Sequence, residues 1–91
     1  MSWHCYLVRC ADDTLYAGVT NDLDRRVAAH NDGTGARYTR GRGPVTLVFT
    51  QRCKDRSAAL RREVELTRLT RAEKEQLVTR WAARKARRAR R

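Results

Sequence analysis

The chain has 91 residues, enough for one domain with a single modest core. A hydrophobic share of 41% argues against a disordered chain, even with 34% of residues charged. The net charge is +11, and six of those positive charges crowd into Arg84–Arg91, leaving +5 on residues 1–83. The body is therefore basic in its own right. Such a balance suits a polyphosphate partner, because each cation near a phosphate releases condensed counterions. A solvated charged surface or contact with another anionic surface would read the same way on charge alone.

Cys5, Cys10 and Cys53 are odd in number and form no C-x-x-C pair. That argues against a disulfide scaffold and against a zinc site. Met1–Val8 is too short for a leader and includes His4, and no apolar run is long enough to span a bilayer. The expected setting is a reducing cytoplasm, with no membrane and no obligate protein partner. We read residues 1–83 as the domain and 84–91 as an Arg-rich basic tail.

Trp3 to Cys10, with Tyr6, Leu7 and Val8, reads as a strand. Ala11-Asp12-Asp13 reads as a turn, and Thr14 to Val19 as a second strand that completes a hairpin. Gly18, placed near the end of that strand, signals close backbone approach or a special turn. Thr20-Asn21-Asp22 offers cap residues for a helix. Leu23, Val27 and His30 then share one helical stripe, which Asn31-Asp32-Gly33 ends. Residues 32–44 form a loop rich in Gly, Arg and Thr. Val45 to Thr50 is the most apolar short run and is expected to be a well-buried third strand.

Asp55 or Ser57 can cap a second helix over residues 57–69. Thr70-Arg71-Ala72-Glu73 fits a capping box for a third helix, with Leu77, Val78, Trp81 and Ala82 on its inner side. The order β-β-α-β-α-α predicts an α+β fold: a small, three-stranded, mostly antiparallel sheet flanked by helices.

Glu63 falls among Ala59, Leu60, Leu66 and Thr67 on the second helix, within the face expected to meet the core. A carboxylate there must be paired, protonated or bound to a metal. A salt bridge to an arginine is one solution. Oxygen ligation of Mg²⁺ or Mn²⁺ is another, since Mg²⁺ commonly takes one or two carboxylates plus water and phosphate. Arg26 and His30, four apart, share the edge of the first helix's buried stripe. Guanidinium and imidazole there suit phosphate binding and proton transfer, although a solvated basic helix would carry the same pair.

Tyr6 and Tyr16 lie on the hairpin strands, where tyrosines also serve as packing residues. The loop Thr34–Gly43 contains Arg37, Tyr38, Arg40 and Arg42. It can track a nucleic-acid backbone and stack a base, or be a surface loop; it is not a P-loop.

Taken together and in this order, these motifs resemble the GIY-YIG nuclease superfamily, especially its small stand-alone bacterial subgroup. His4-Cys5-Tyr6 stands at the first motif and Tyr16-Ala17-Gly18 at the second. Asp22 to His30 resembles the arginine-plus-histidine helix, with Arg26 as its arginine and Arg25 beside it as a further nucleic-acid contact. Leu60-Arg61-Arg62-Glu63 resembles the helix that carries the metal-binding glutamate. The first motif lacks its Gly and Ile, and no asparagine occurs beyond Asn31.

The resemblance implies a metal-dependent endonuclease acting on nucleic acid, DNA before RNA, with one Mg²⁺ or Mn²⁺ on Glu63. It implies Tyr6 as proton acceptor from the attacking water, aided by His30, with Arg26 and Tyr16 on the phosphate. The products would be a 5′-phosphate and a 3′-hydroxyl. A basic binding module of little catalytic power is the competing reading.

One geometric condition follows. A two-residue turn at Asp12-Asp13 would oppose Tyr6 to Val19 and send the two tyrosines to opposite faces. A shared site requires an odd-numbered loop or a bulge.

Overall fold

The computed structural model describes residues 2–34, 39 and 41–89. The elements run β1 (Trp3–Arg9), β2 (Leu15–Thr20), α1 (Leu23–Asp32), β3 (Thr46–Cys53), α2 (Arg56–Arg68) and α3 (Arg71–Ala89). The predicted order and the α+β class are both observed. The three strands form one sheet in the order β2-β1-β3, and both pairings are antiparallel.

The hairpin loop is Ala11–Asp13, three residues long. Cys10 donates its N–H to the Thr14 carbonyl at 2.8 Å, and Asp13 donates back to the Cys10 carbonyl at 2.9 Å. Asp13 takes the left-handed conformation at φ 70°, which Asp tolerates better than most residues. The odd loop sets Tyr6 opposite Gly18 and Val8 opposite Tyr16. Directly opposed residues share a face, so Tyr6 and Tyr16 lie on the same side of the sheet. Gly18 sits inside β2 rather than at its end.

The third strand differs from its expected role. β1 is the central, most buried strand, whereas β3 is an edge strand in which Phe49 alone is fully buried. Its apolar run is explained by a bulge. Leu7 pairs with Phe49 and Val8 with Leu47, which leaves Val48 as the extra residue. Leu47 then joins the Tyr6 side of the sheet, while Val48 and Phe49 both pack on the other.

The helices start where local chemistry dictates. Asp22 accepts from the Arg25 N–H at 3.1 Å, and Asp55 accepts from the Ala58 N–H at 2.8 Å. Thr70 and Glu73 form the reciprocal box, at 2.9 and 3.2 Å. Gly33 closes α1 in the left-handed region at φ 85°. Asn31 then ties the end of α1 to the start of β3's approach: its amide donates to the Val45 carbonyl at 3.3 Å and accepts from the Val45 N–H at 2.6 Å.

Two cores form, one on each face. Tyr6, Val8, Cys10 and Val45 are buried together beneath Leu23 of α1. Cys5, Leu7, Phe49 and Leu66 are buried on the other face with Leu77, Val78 and Trp81 packed against them, so α2 and α3 cover that side. Ala82, expected on the inner face of α3, is exposed. The partly buried positions of α3 end at Trp81, and residues 82–89 are exposed. Residues 84–89 of the Arg-rich end continue α3 as helix. Among the described residues no helix is long and apolar enough to cross a membrane.

Candidate active site

The centre of the site is the hydroxyl of Tyr6, which is 1% exposed. Its ring crosses directly over Gly18: a Cβ at that position would stand 2.3 Å from the Oη and 2.4 Å from Cζ. The glycine is required by close approach, and its φ lies outside the positive range.

From there the Oη meets two side chains of α1. Arg26 donates Nε–H to it at 3.2 Å, and His30 Nε2 lies 2.9 Å away. On the far side of the imidazole, Nδ1 meets the Thr39 hydroxyl at 2.7 Å. His30 and Thr39 are both buried, at 2% and 1% exposure. One assignment gives every atom in this row a partner: Arg26 donates to Tyr6, the phenol donates to His30 Nε2, and Nδ1–H donates to Thr39. Tyr16 packs edge-on against the same imidazole, 5.6 Å between ring centroids. His30 is thus not on a solvated helix face but is buried, in contact with Tyr6, Tyr16 and Thr39.

Electrostatics fix the resting protonation. Burial, reinforced by the charge of Arg26, lowers the His30 pKa below the ordinary imidazole value, so the ring is neutral at pH 7. Burial raises the pKa of Tyr6, while the hydrogen bond and charge of Arg26 oppose that rise. The balance is upward. The protein's own positive neighbours therefore do not lower the phenol toward neutrality, and the resting phenol keeps its proton.

Glu63 comes from the other side. Its helix packs on the sheet face opposite α1, yet its negative charge contributes to raising the Tyr6 pKa. It is not enclosed by core: Glu63 is half-buried, and its neighbour Leu60 is 43% exposed. Ala59 and Leu66 bury the adjacent stripe, which leaves Glu63 at its edge. Among the described residues no Lys or Arg nitrogen lies within 4.0 Å of its carboxylate, and its side-chain partner is the Thr67 hydroxyl at 3.4 Å. The salt bridge that would have accounted for a buried carboxylate is absent there.

This donor set can be tested against a metal. No group of three or more His, Cys, Asp or Glu side chains converges among the described residues. A lone carboxylate free of competing cations suits an oxygen-preferring ion that keeps most of its water and takes phosphate oxygens. It does not suit zinc.

Of the expected nucleic-acid contacts, Arg25 is exposed on α1, one position from Arg26. Arg42 forms an ion pair with Asp12 and accepts the Ala11 N–H on its carbonyl at 2.7 Å, so it fastens its loop to the hairpin turn. Arg37, Tyr38 and Arg40 lie outside the described residues.

The GIY-YIG catalytic domain model matches residues 2–76 of the chain. The chain belongs to the GIY-YIG family. It is 55% identical over 75 residues to a UPF0213 protein of Natronomonas pharaonis, covering 82% of this chain and 88% of that one. It is 46% identical to a UPF0213 protein of Clostridium perfringens, covering 84% and 82%. A solution NMR structure of a UPF0213 protein from Bacillus halodurans matches with TM-score 0.55 and 46% identity, covering 87% of this chain and 84% of that chain. A solution NMR structure of a protein from E. faecalis matches with TM-score 0.60 and 36% identity, covering 91% of this chain and 88% of that chain. These small relatives occur in archaea as well as bacteria.

In this GIY-YIG chain the two name-giving motifs are partners across one hairpin. The tyrosine of the first lies on the glycine of the second. Thr39 was not singled out from the sequence. Its signal there is its place at the end of Gly35-Ala36-Arg37-Tyr38-Thr39, a stretch that also resembles loops of the small stand-alone subgroup.

Proposed function

We propose that the chain is a metal-dependent endonuclease that hydrolyses phosphodiester bonds of nucleic acid, DNA before RNA, in the cytoplasm. The observation that carries this reading is the Tyr6 hydroxyl held between Arg26 Nε and neutral His30 Nε2. Structural tyrosines need one partner for the hydroxyl. This one is supplied with a cation on one side and a proton acceptor on the other.

The row works as a relay. Tyr6 Oη takes a proton from the attacking water as its own passes to His30 Nε2. No free phenolate is needed, which fits a phenol whose pKa is raised by burial. The imidazolium that forms is steadied through Nδ1–H on Thr39. Arg26, part-exposed beside the phenol, has further N–H groups for a phosphate oxygen. Tyr16, partly exposed beside His30, would take a second oxygen. Glu63 would hold Mg²⁺ or Mn²⁺, which when bound supplies charge neutralisation at the scissile phosphate. Water attack with departure of the 3′-oxygen leaves a 5′-phosphate and a 3′-hydroxyl.

The test is cleavage of single-stranded, duplex and branched DNA and of RNA, with Mg²⁺, with Mn²⁺ and with EDTA. Cleavage that depends on the metal and disappears in Glu63→Gln, with binding retained, is the expected result. Binding without cleavage of any form would leave a basic binding module.

A further inference from the structure

A second basic surface lies apart from the Tyr6 group. A groove of about 900 Å³ runs between the edge strand β3 and the overhanging α3. Its charged lining comes from three elements: Arg52 of β3, Arg62 of α2, and Arg84, Lys85 and Arg88 of α3. Among the described residues no carboxylate lines it. Arg62 is partly engaged, donating to the Gln51 side chain at 3.0 Å and standing 3.7 Å from Glu65. Among the described residues Arg52, Arg84, Lys85 and Arg88 have no carboxylate within 4.0 Å. His4 also borders the groove, and its Nδ1 is buried without a hydrogen-bond partner among the described residues.

Two ordinary uses of such charge fall short here. Cations in the last turns of a helix offset its dipole, and charged side chains protect an edge strand from pairing. Neither use calls for cations from three elements to converge on one groove, where they repel each other and, among the described residues, Arg62 alone has an acid beside it, Glu65 at 3.7 Å. A polyanion would remove that cost. Trp81 lies in the lining, but the Lys85 ammonium sits 4.9 Å from its ring centroid. With that face covered, the groove favours backbone contact over base stacking.

We propose that this groove binds the sugar-phosphate backbone of a nucleic-acid strand, independent of sequence, as a second contact separate from the Tyr6 site. The proposal rests on nucleic acid being the substrate, and it extends that reading by giving the substrate a second point of attachment. The end of α3 is then the wall of a binding groove.

The chain has two tryptophans, so Trp3→Phe leaves Trp81 as the single indole reporter. In that protein a dT20 oligonucleotide should quench Trp81. Replacing Arg84, Lys85 and Arg88 with Gln should weaken binding at least tenfold. The salt dependence of log K should become shallower by about 2, at about 0.7 per phosphate contact for a single strand. Arg52→Gln, on the opposite wall, should weaken binding severalfold by itself. A charge-matched control, with Gln at the exposed Lys54, Arg61 and Arg68, should lose less than threefold.

Equal losses in both triple variants would overturn the proposal, as would binding that leaves Trp81 unquenched. Capture of anionic vesicles with no affinity for dT20 would reassign the groove to lipid. Glu63→Gln should keep the quench while losing cleavage, so the groove and the nuclease reading fail separately.

Discussion

The Tyr6 ring occupies the space that a side chain on Gly18 would fill. The two residues face each other across β1 and β2, and a Cβ would fall 2.3 Å from the phenol oxygen. Gly18→Ala therefore has to move the phenol or the strand. The Oη would leave its positions 2.9 Å from His30 and 3.2 Å from Arg26. We expect a fold that survives, destabilised by about 1–3 kcal/mol as for other overpacked sites. Cleavage should fall far more than stability. A thermal melt and a cleavage assay on the same sample check this, and wild-type rates would show that the phenol's placement does not matter.

Tyr6→Phe separates chemistry from shape. The ring still covers Gly18, but Arg26 and His30 lose their shared partner. A relay worth the usual general-base contribution predicts a fall in rate of about 100-fold to 10,000-fold. Stability should drop by about 1–3 kcal/mol, because His30 Nε2 is left buried without a partner. Binding of uncleaved substrate should change little. A rate loss under threefold would leave Tyr6 a packing residue.

Glu75 tests what holds α3 to the hairpin. Arg9 grips both its carboxylate oxygens, at 2.6 and 3.0 Å, and Arg71 donates to it at 3.0 Å while also pairing with Asp13 at 3.1 Å. The hydrogen bonds from Arg9 lead in lowering the Glu75 pKa to about 2 from 4.5. The folded form thus prefers the ionised acid. This contribution is complete above pH 4.5 and is lost as pH falls toward 2. The side chain is 36% exposed and so partly screened by solvent, and Glu75→Gln should cost about 1 kcal/mol or less. That corresponds to a few degrees in Tm for a domain of this size. The variant's deficit should vanish in melts near pH 2, and a deficit unchanged down to that pH would point to packing instead.

What the sequence disclosed was mainly local. The Thr70–Glu73 box is written in four consecutive residues and caps as read. Asp22 is the cap among the candidates Thr20, Asn21 and Asp22, and Asp55 is the cap of the pair Asp55 and Ser57. The hairpin condition could be stated but not decided, because Ala11-Asp12-Asp13 contains no glycine to mark the residue that turns left-handed. β3 was misjudged since an apolar run does not tell an edge strand from a central one, and the Val48 bulge sends its residues to two faces. Periodicity places Glu63 on a core face, and it cannot see that Leu60 and Val64 beside it stay more than 40% exposed. The row through His30 joins β1, α1 and a loop residue, and no spacing rule spans that distance.

Thr39 supplies the last test, because its hydroxyl can accept from Nδ1–H and so favour the tautomer that leaves Nε2 bare. With Thr39 accepting at Nδ1, 2.7 Å away, Nε2 stays bare toward Tyr6 and the relay can run. Thr39→Val removes the acceptor while keeping a β-branched shape. Nδ1–H is then buried unsatisfied, and the ring should shift toward the tautomer protonated at Nε2, which blocks transfer from the phenol. Cleavage should fall about tenfold or more.

The wild-type pH profile follows from the same ring. Protonated His30 cannot accept, so the rate should drop as pH falls through a midpoint below the ordinary value of about 6.5. The ring's folded-state pKa is depressed, so stability too is full above the unfolded value and declines below it. Imidazole ¹⁵N shifts read the tautomer directly. A wild-type ring already protonated at Nε2 would reverse the assigned direction of every hydrogen bond from Tyr6 to Thr39, and the relay would have to be abandoned.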